Sequence, residues 1–175
     1  MKKQNINELE FIIDKLTNSI ESSLSGENFQ TEVKLVTKED LKSVTKKNKW
    51  KFDWKAEFLL PERAVYKLTI AGEPDIIQGL MCVESREGHI FMHLIESAHF
   101  NIGRNKAYFG VPGNLVAYAC YLSWKKGFEG NMCFIAKTKL IQHYIDTLGA
   151  KLISYNTMVI NENAARKLID RYFNK

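Results

Sequence analysis

Residues 107–127 read AYFGVPGNLVAYACYLSWKKG, and the rest of the chain is best read outward from them. Gly110 and Gly113 bracket Val111 and Pro112, so a tight turn precedes a run in which Leu115, Ala119 and Leu122 share one helical face. Pro112 removes one N–H from that turn. Lys125 and Lys126 suit the last turn, and Gly127 suits the stop. A glycine turn that opens a helix presents unpaired N–H groups at the positive end of the helix dipole, a setting suited to phosphate.

Downstream, the apolar run Met132 to Ala136 predicts a buried strand. Thr138 is placed to cap a helix whose stripe of Leu140, Ile141, Tyr144, Ile145 and Leu148 ends at Gly149. One strand, 152–160, follows. A terminal helix then carries Ala164, Ala165, Leu168, Ile169 and Tyr172 inward, capped by Asn161 or Asn163. Upstream, 65–70, 76–83 and 89–95 predict strands separated by Ala71-Gly72-Glu73-Pro74 and Arg86-Glu87-Gly88, an antiparallel meander. Thr37, with Asp40 three residues on, predicts the start of a helix running to Asn48. Before it, Leu9, Ile13, Leu16, Ile20 and Leu24 are spaced as on a helix, yet Ser25-Gly26-Glu27-Asn28 leads into a strand-like run; a helix and a hairpin both stand. The class is α+β with a mixed sheet.

The 175 residues contain no repeat or low-complexity linker, which predicts one domain over 1–175. Met1-Lys2-Lys3-Gln4-Asn5 begins basic, but Glu8, Glu10, Asp14 and Lys15 interrupt any apolar run, so neither a signal peptide nor a membrane span is expected. Cys82, Cys120 and Cys133 are odd in number, lack CxxC spacing and lie in apolar stretches, which predicts core thiols and a cytoplasmic location. The net charge of +5 favours an anionic ligand or partner without choosing among them.

A meander leading into strand, glycine turn, helix, strand, a helix ending in Leu-Gly and a further strand resembles the GNAT superfamily of acyl-CoA-dependent N-acetyltransferases. The resemblance covers roughly 31–160, leaving 1–30 as an N-terminal extension and 161–175 as a C-terminal helix. It implies a mostly antiparallel mixed sheet flanked by helices, with one closing strand and a helix where the family has two closing strands. The family turn, Q/R-x-x-G-x-G/A, aligns with Ala107-Tyr108-Phe109-Gly110-Val111-Pro112. Gly110 matches, Ala107 and Pro112 depart, and Gly113, Asn114 and Lys106 or Arg104 are available in compensation. Thr138 stands at the family's Asn position and Ile145 at its tyrosine, with Tyr144 one residue earlier.

What the resemblance implies is transfer of an acyl group from acetyl-CoA or another acyl-CoA to an amine by direct attack. Ser97 and Ala98 would border the thioester and pantetheine. Lys106, Gly110, Val111, Gly113, Asn114 and Leu115 would meet the pyrophosphate, and Thr138 would also contact the cosubstrate. Glu96 ends its strand on the face of Met92 and Leu94; it is either the general base or an acceptor for the following loop. Tyr144 and Tyr108 are the phenols available to protonate the leaving thiolate, although Tyr144 also belongs to the apolar stripe. His93 and His99 are either proton relays or structural groups. No carboxylate or cysteine stands at ligand spacing from His89 and His93, so no metal is expected.

Trp50, Phe52 and Trp54 alternate within the lysine-rich stretch 46–55. They would either cover a core edge or stack nucleobases, and the resemblance sets this segment, with Trp50 and Trp54, beside the acceptor pocket. Two rival readings follow: a non-catalytic acyl-CoA-binding module, and an RNA-directed protein. A homodimer is compatible with any of these.

Overall fold

The computed structural model describes residues 7–173, so the basic start at Met1 to Asn5 lies outside it. A hairpin of β1 (Ser19–Ser22) and β2 (Asn28–Leu35) opens the sheet. Short helices α1 (Lys38–Leu41) and α2 (Trp54–Leu59) follow, then the meander β3 (Arg63–Ile70), β4 (Gly79–Arg86) and β5 (His89–Ser97). The short β6 (Tyr108–Phe109) leads into α3 (Val111–Lys125), β7 (Met132–Ile135) and α4 (Ile141–Leu148). The hairpin β8 (Lys151–Ser154) and β9 (Thr157–Ile160) and helix α5 (Glu162–Phe173) complete the described chain. The nine strands of the described residues join one sheet in the order β6-β1-β2-β3-β4-β5-β7-β9-β8, and they pair antiparallel except at β5 and β7.

Several expectations are corrected. The N-terminal helix is absent: the hairpin alternative holds, and Leu9, Phe11 and Ile13 are buried with the alternation of an extended segment. The helix expected to reach Asn48 stops at Leu41. Its capping box is present, with the Thr37 hydroxyl accepting from the Asp40 N–H and the Asp40 carboxylate accepting from the Thr37 N–H, but a second capped turn begins at Thr45. Asp53 caps α2, which the alternation of Trp50, Phe52 and Trp54 had disguised as extended chain. Thr138 opens a 3₁₀ turn without capping it, and its hydroxyl accepts from Asn156 instead. The single closing strand is a hairpin, turned at Asn156, whose φ of 52° asparagine tolerates. Asn161 is the residue that caps α5.

Helix α3 carries buried side chains all round because β3 to β5 cover one side and α5 the other. Leu115 is wholly buried, a contribution of roughly 1.5–3 kcal/mol. Gly110, at φ 101°, makes the left-handed turn that aims this helix. No helix among the described residues is long and apolar enough to cross a membrane.

Candidate functional site

Strands β5 and β7 pair at only two positions, Ile90 with Met132 and Phe91 with Cys133. Beyond them β5 continues to Ser97 and the two strands part, leaving a wedge in the middle of the sheet. The Ala98 N–H is taken by the Gln78 carbonyl at 2.9 Å, and Ser97 lies opposite Gly79. Antiparallel alternation therefore turns the backbone groups of Ile95 and Ser97 away from β4 and into the wedge. A cavity of about 410 Å³ occupies this space, bordered by Ile95 and Ser97 on one side, Leu9 and Phe11 on the other, and Lys106 and Pro112 at the start of α3. Its walls also carry Lys51 and Lys137 together with Glu8, Glu10 and Glu96, and Lys137 is ion-paired with Glu10 at 2.8 Å.

The far wall is the N-terminal segment, which sequence reasoning missed. The Leu9 N–H donates to the Ile135 carbonyl at 2.7 Å, and the Lys137 N–H donates to the Leu9 carbonyl at 3.0 Å, so the segment lies along the edge of β7 that β5 has left. Phe11 stacks on Tyr144 with ring centroids 4.5 Å apart, and the Tyr144 hydroxyl donates to the Phe11 carbonyl at 2.7 Å. Asp14 then reaches α3, where one carboxylate oxygen accepts from the Gly110 N–H at 2.9 Å and the other from Lys106 Nζ at 2.8 Å.

The remaining sequence candidates fall into place around these contacts. The Glu96 carboxylate accepts from the backbone N–H groups of Lys51 (2.8 Å) and Phe52 (3.3 Å) and from the Trp54 indole (2.8 Å), tying the 50–54 loop to the end of β5. Those three donors, more than the loop after β5, account for its burial. Tyr144 is buried in the core, and burial pushes its phenol well above the ordinary value. Asn114 spans Gly110, Ser19 and Thr31 with its amide, while Val111 and Leu115 are core residues. Gly113 allows close packing, since a Cβ there would meet the Lys15 carbonyl at 2.7 Å and the Tyr172 hydroxyl. Trp54 is 1% exposed and Trp50 8%, so these rings cover the core edge and are not free to stack on bases; Phe52 is the exposed member. Trp50 also lines a separate groove of about 380 Å³ beside His99 and Phe100.

The other titratable groups are structural in setting. His93 lies 3.5 Å from Glu84, and burial together with Arg63 holds its imidazole below the usual value. Cys82 and Cys120 are buried thiols; burial pushes Cys120 up to about 12, so neither has thiolate character near neutral pH.

No family model matches the chain, and no curated protein sequence matches it. Solved structures do. AtaTR bound with AcCoA superposes with a TM-score of 0.52 at 13% identity, covering 79% of this chain and 97% of that one. A KacTA–DNA complex gives 0.54 at 13%, covering 79% and 98%. The ribosomal-protein-S18-alanine N-acetyltransferase from Escherichia coli gives 0.52 at 10%, covering 74% and 90%. With the meander, the parting of β5 from β7 and the glycine turn that opens α3, these likenesses show that the chain has the GNAT fold.

Proposed function

We propose that the protein is an acyl-CoA-dependent N-acyltransferase that joins an acyl group to a primary amine by direct attack on the thioester. The observation that carries this reading is the wedge between β5 and β7, whose cavity runs from Ser97 to the start of α3. Its backbone edge at Ile95 and Ser97 offers hydrogen-bonding groups to the amides of a pantetheine arm, and the Ser97 N–H suits a polarised thioester carbonyl. Lys106 and the first N–H groups of α3, with Gly110 leading, suit the pyrophosphate. The amine nitrogen forms the new C–N bond as the C–S bond breaks, the thiolate leaves, and the ammonium proton passes to a base. Glu96, in the cavity wall next to Ser97, is the carboxylate proposed for that task, and it also positions the Trp50 to Trp54 loop that would border the acceptor.

A calorimetric titration with acetyl-CoA, CoA and ATP, followed by thiol-release assays over a panel of amines, tests this. Binding of both CoA species but not ATP, with thiol release on at least one amine, is the expected result; binding of neither CoA species refutes it. A non-catalytic acyl-CoA-binding module is the second reading. It is favoured by Tyr144 and Glu96 already having partners inside the protein, and CoA binding without thiol release from any amine would select it.

A further inference from the structure

Within residues 8–17, Asp14 lies where the pyrophosphate of the proposed ligand would lie. Their backbone extends along the free edge of β7, and their single acidic group at the helix start, Asp14, takes both the Gly110 N–H and the Lys106 ammonium. A phosphoryl oxygen presents the same chemistry as that carboxylate, an anionic acceptor at the positive end of a fifteen-residue helix. The two cannot share the position. Past Asp14 the chain crosses directly over the first turn of α3, where the Tyr172 hydroxyl donates to the Lys15 carbonyl and the Asn114 amide donates to the Thr17 carbonyl.

We propose that residues 8–17 are an intramolecular strap whose Asp14 latch competes with the pyrophosphate of acyl-CoA for the start of α3, so that cosubstrate binding requires the latch to open. This rests on the acyl-CoA reading above.

The two ends of the strap are held differently. Leu9 and Phe11 are buried along β7 and α4, whereas the charged hold at the start of α3 is one carboxylate facing one ammonium and one N–H, with the Thr17 and Lys15 carbonyls held further along by Asn114 and Tyr172. The cavity bordering Ile95 and Ser97 remains open with the latch shut. A pantetheine arm lacking phosphate therefore enters without disturbing Asp14, while CoA itself must displace it.

The test is calorimetry on the full chain, wild type and Asp14→Asn, titrated with CoA and with pantetheine. Asn keeps the shape and an oxygen for Gly110 but removes the charge facing Lys106. Asp14→Asn is expected to tighten CoA binding by about ten-fold and to change pantetheine binding by less than about two-fold. Equal CoA affinity in the two proteins overturns the latch and leaves the acyl-CoA reading standing. No binding of CoA or acetyl-CoA to either protein overturns both. Hydrogen exchange on the wild type gives an independent check without any substitution: saturating CoA is expected to speed exchange across residues 12–17, including the Ile13 N–H that donates to His143. Slower or unchanged exchange there overturns the proposal.

Discussion

Glu96 is surrounded by three N–H donors, and each needs it as much as it needs them. Replacing it with Ala leaves the Lys51, Phe52 and Trp54 donors without their acceptor. An unsatisfied buried donor costs about 1–3 kcal/mol, and the Trp54 indole is the buried one of the three, so Glu96→Ala should lose about 1–3 kcal/mol in denaturant unfolding. A loss below about 1 kcal/mol would mean that the 50–54 loop does not depend on it. Asp40 gives a second residue-scale prediction. Burial alone would raise its carboxyl, but hydrogen bonds from Lys67 and Thr37 outweigh that and hold it below the ordinary value. A depressed folded-state pKa contributes stability above the unfolded value near 3.9, lost as pH falls through the folded value. Asp40→Asn should therefore cost about 1–2 kcal/mol at neutral pH and flatten the loss of stability as pH falls below about 4, measured by urea unfolding at acid and neutral pH.

At the scale of elements, the signals legible in the sequence were those written in local chemistry. The Thr37 and Asp40 capping box, the glycine stop at Gly149 and the meander turns all emerge where their side chains dictate. The misses have a common physical origin in tertiary partners. Leu9, Phe11 and Ile13 carry a strand's alternation, but Leu9, Ile13, Leu16 and Ile20 carry a helix's spacing, and only the vacant edge of β7 decides between them. Likewise the Tyr155-Asn156 turn between β8 and β9 lacks glycine or proline, so its reversal was invisible. Gly113 tests how closely the strap meets α3. In an isolated helix Gly→Ala gains roughly 1 kcal/mol, but here the new Cβ would press on the Lys15 carbonyl. Gly113→Ala should instead destabilise by about 1–3 kcal/mol and speed exchange at Ile13; a stabilised variant would refute the close approach.

For the molecule as a whole, the wedge that makes a binding site also leaves a seam. Only two residue pairs join β5 to β7, so the meander half and the β7 to β9 half rely on other elements to stay together. Helix α3 spans both on one side of the sheet. Within the sheet plane the strap does it, pairing with β7 at Leu9 and reaching the start of α3 at Asp14. Phe11 is the centre of that stitch, 4.5 Å from the Tyr144 ring and 5.4 Å from that of Phe134 on β7. Both rings belong to the β7 half, and the chain running on from Phe11 to Asp14 carries the hold across to the start of α3. Phe11→Ala should cost about 3–5 kcal/mol, the range for a buried phenylalanine. For a chain of this size that corresponds to a fall of roughly 6–20 °C in Tm. The location of the loss distinguishes a stitch from a local cavity. Amide exchange should rise in β7 and, together with it, at the β5 end at Ala98, whose N–H donates to the Gln78 carbonyl, although these lie on opposite sides of the wedge. Exchange that rises only in β7 and α4 would show that Phe11 packs its own half and does not join the two.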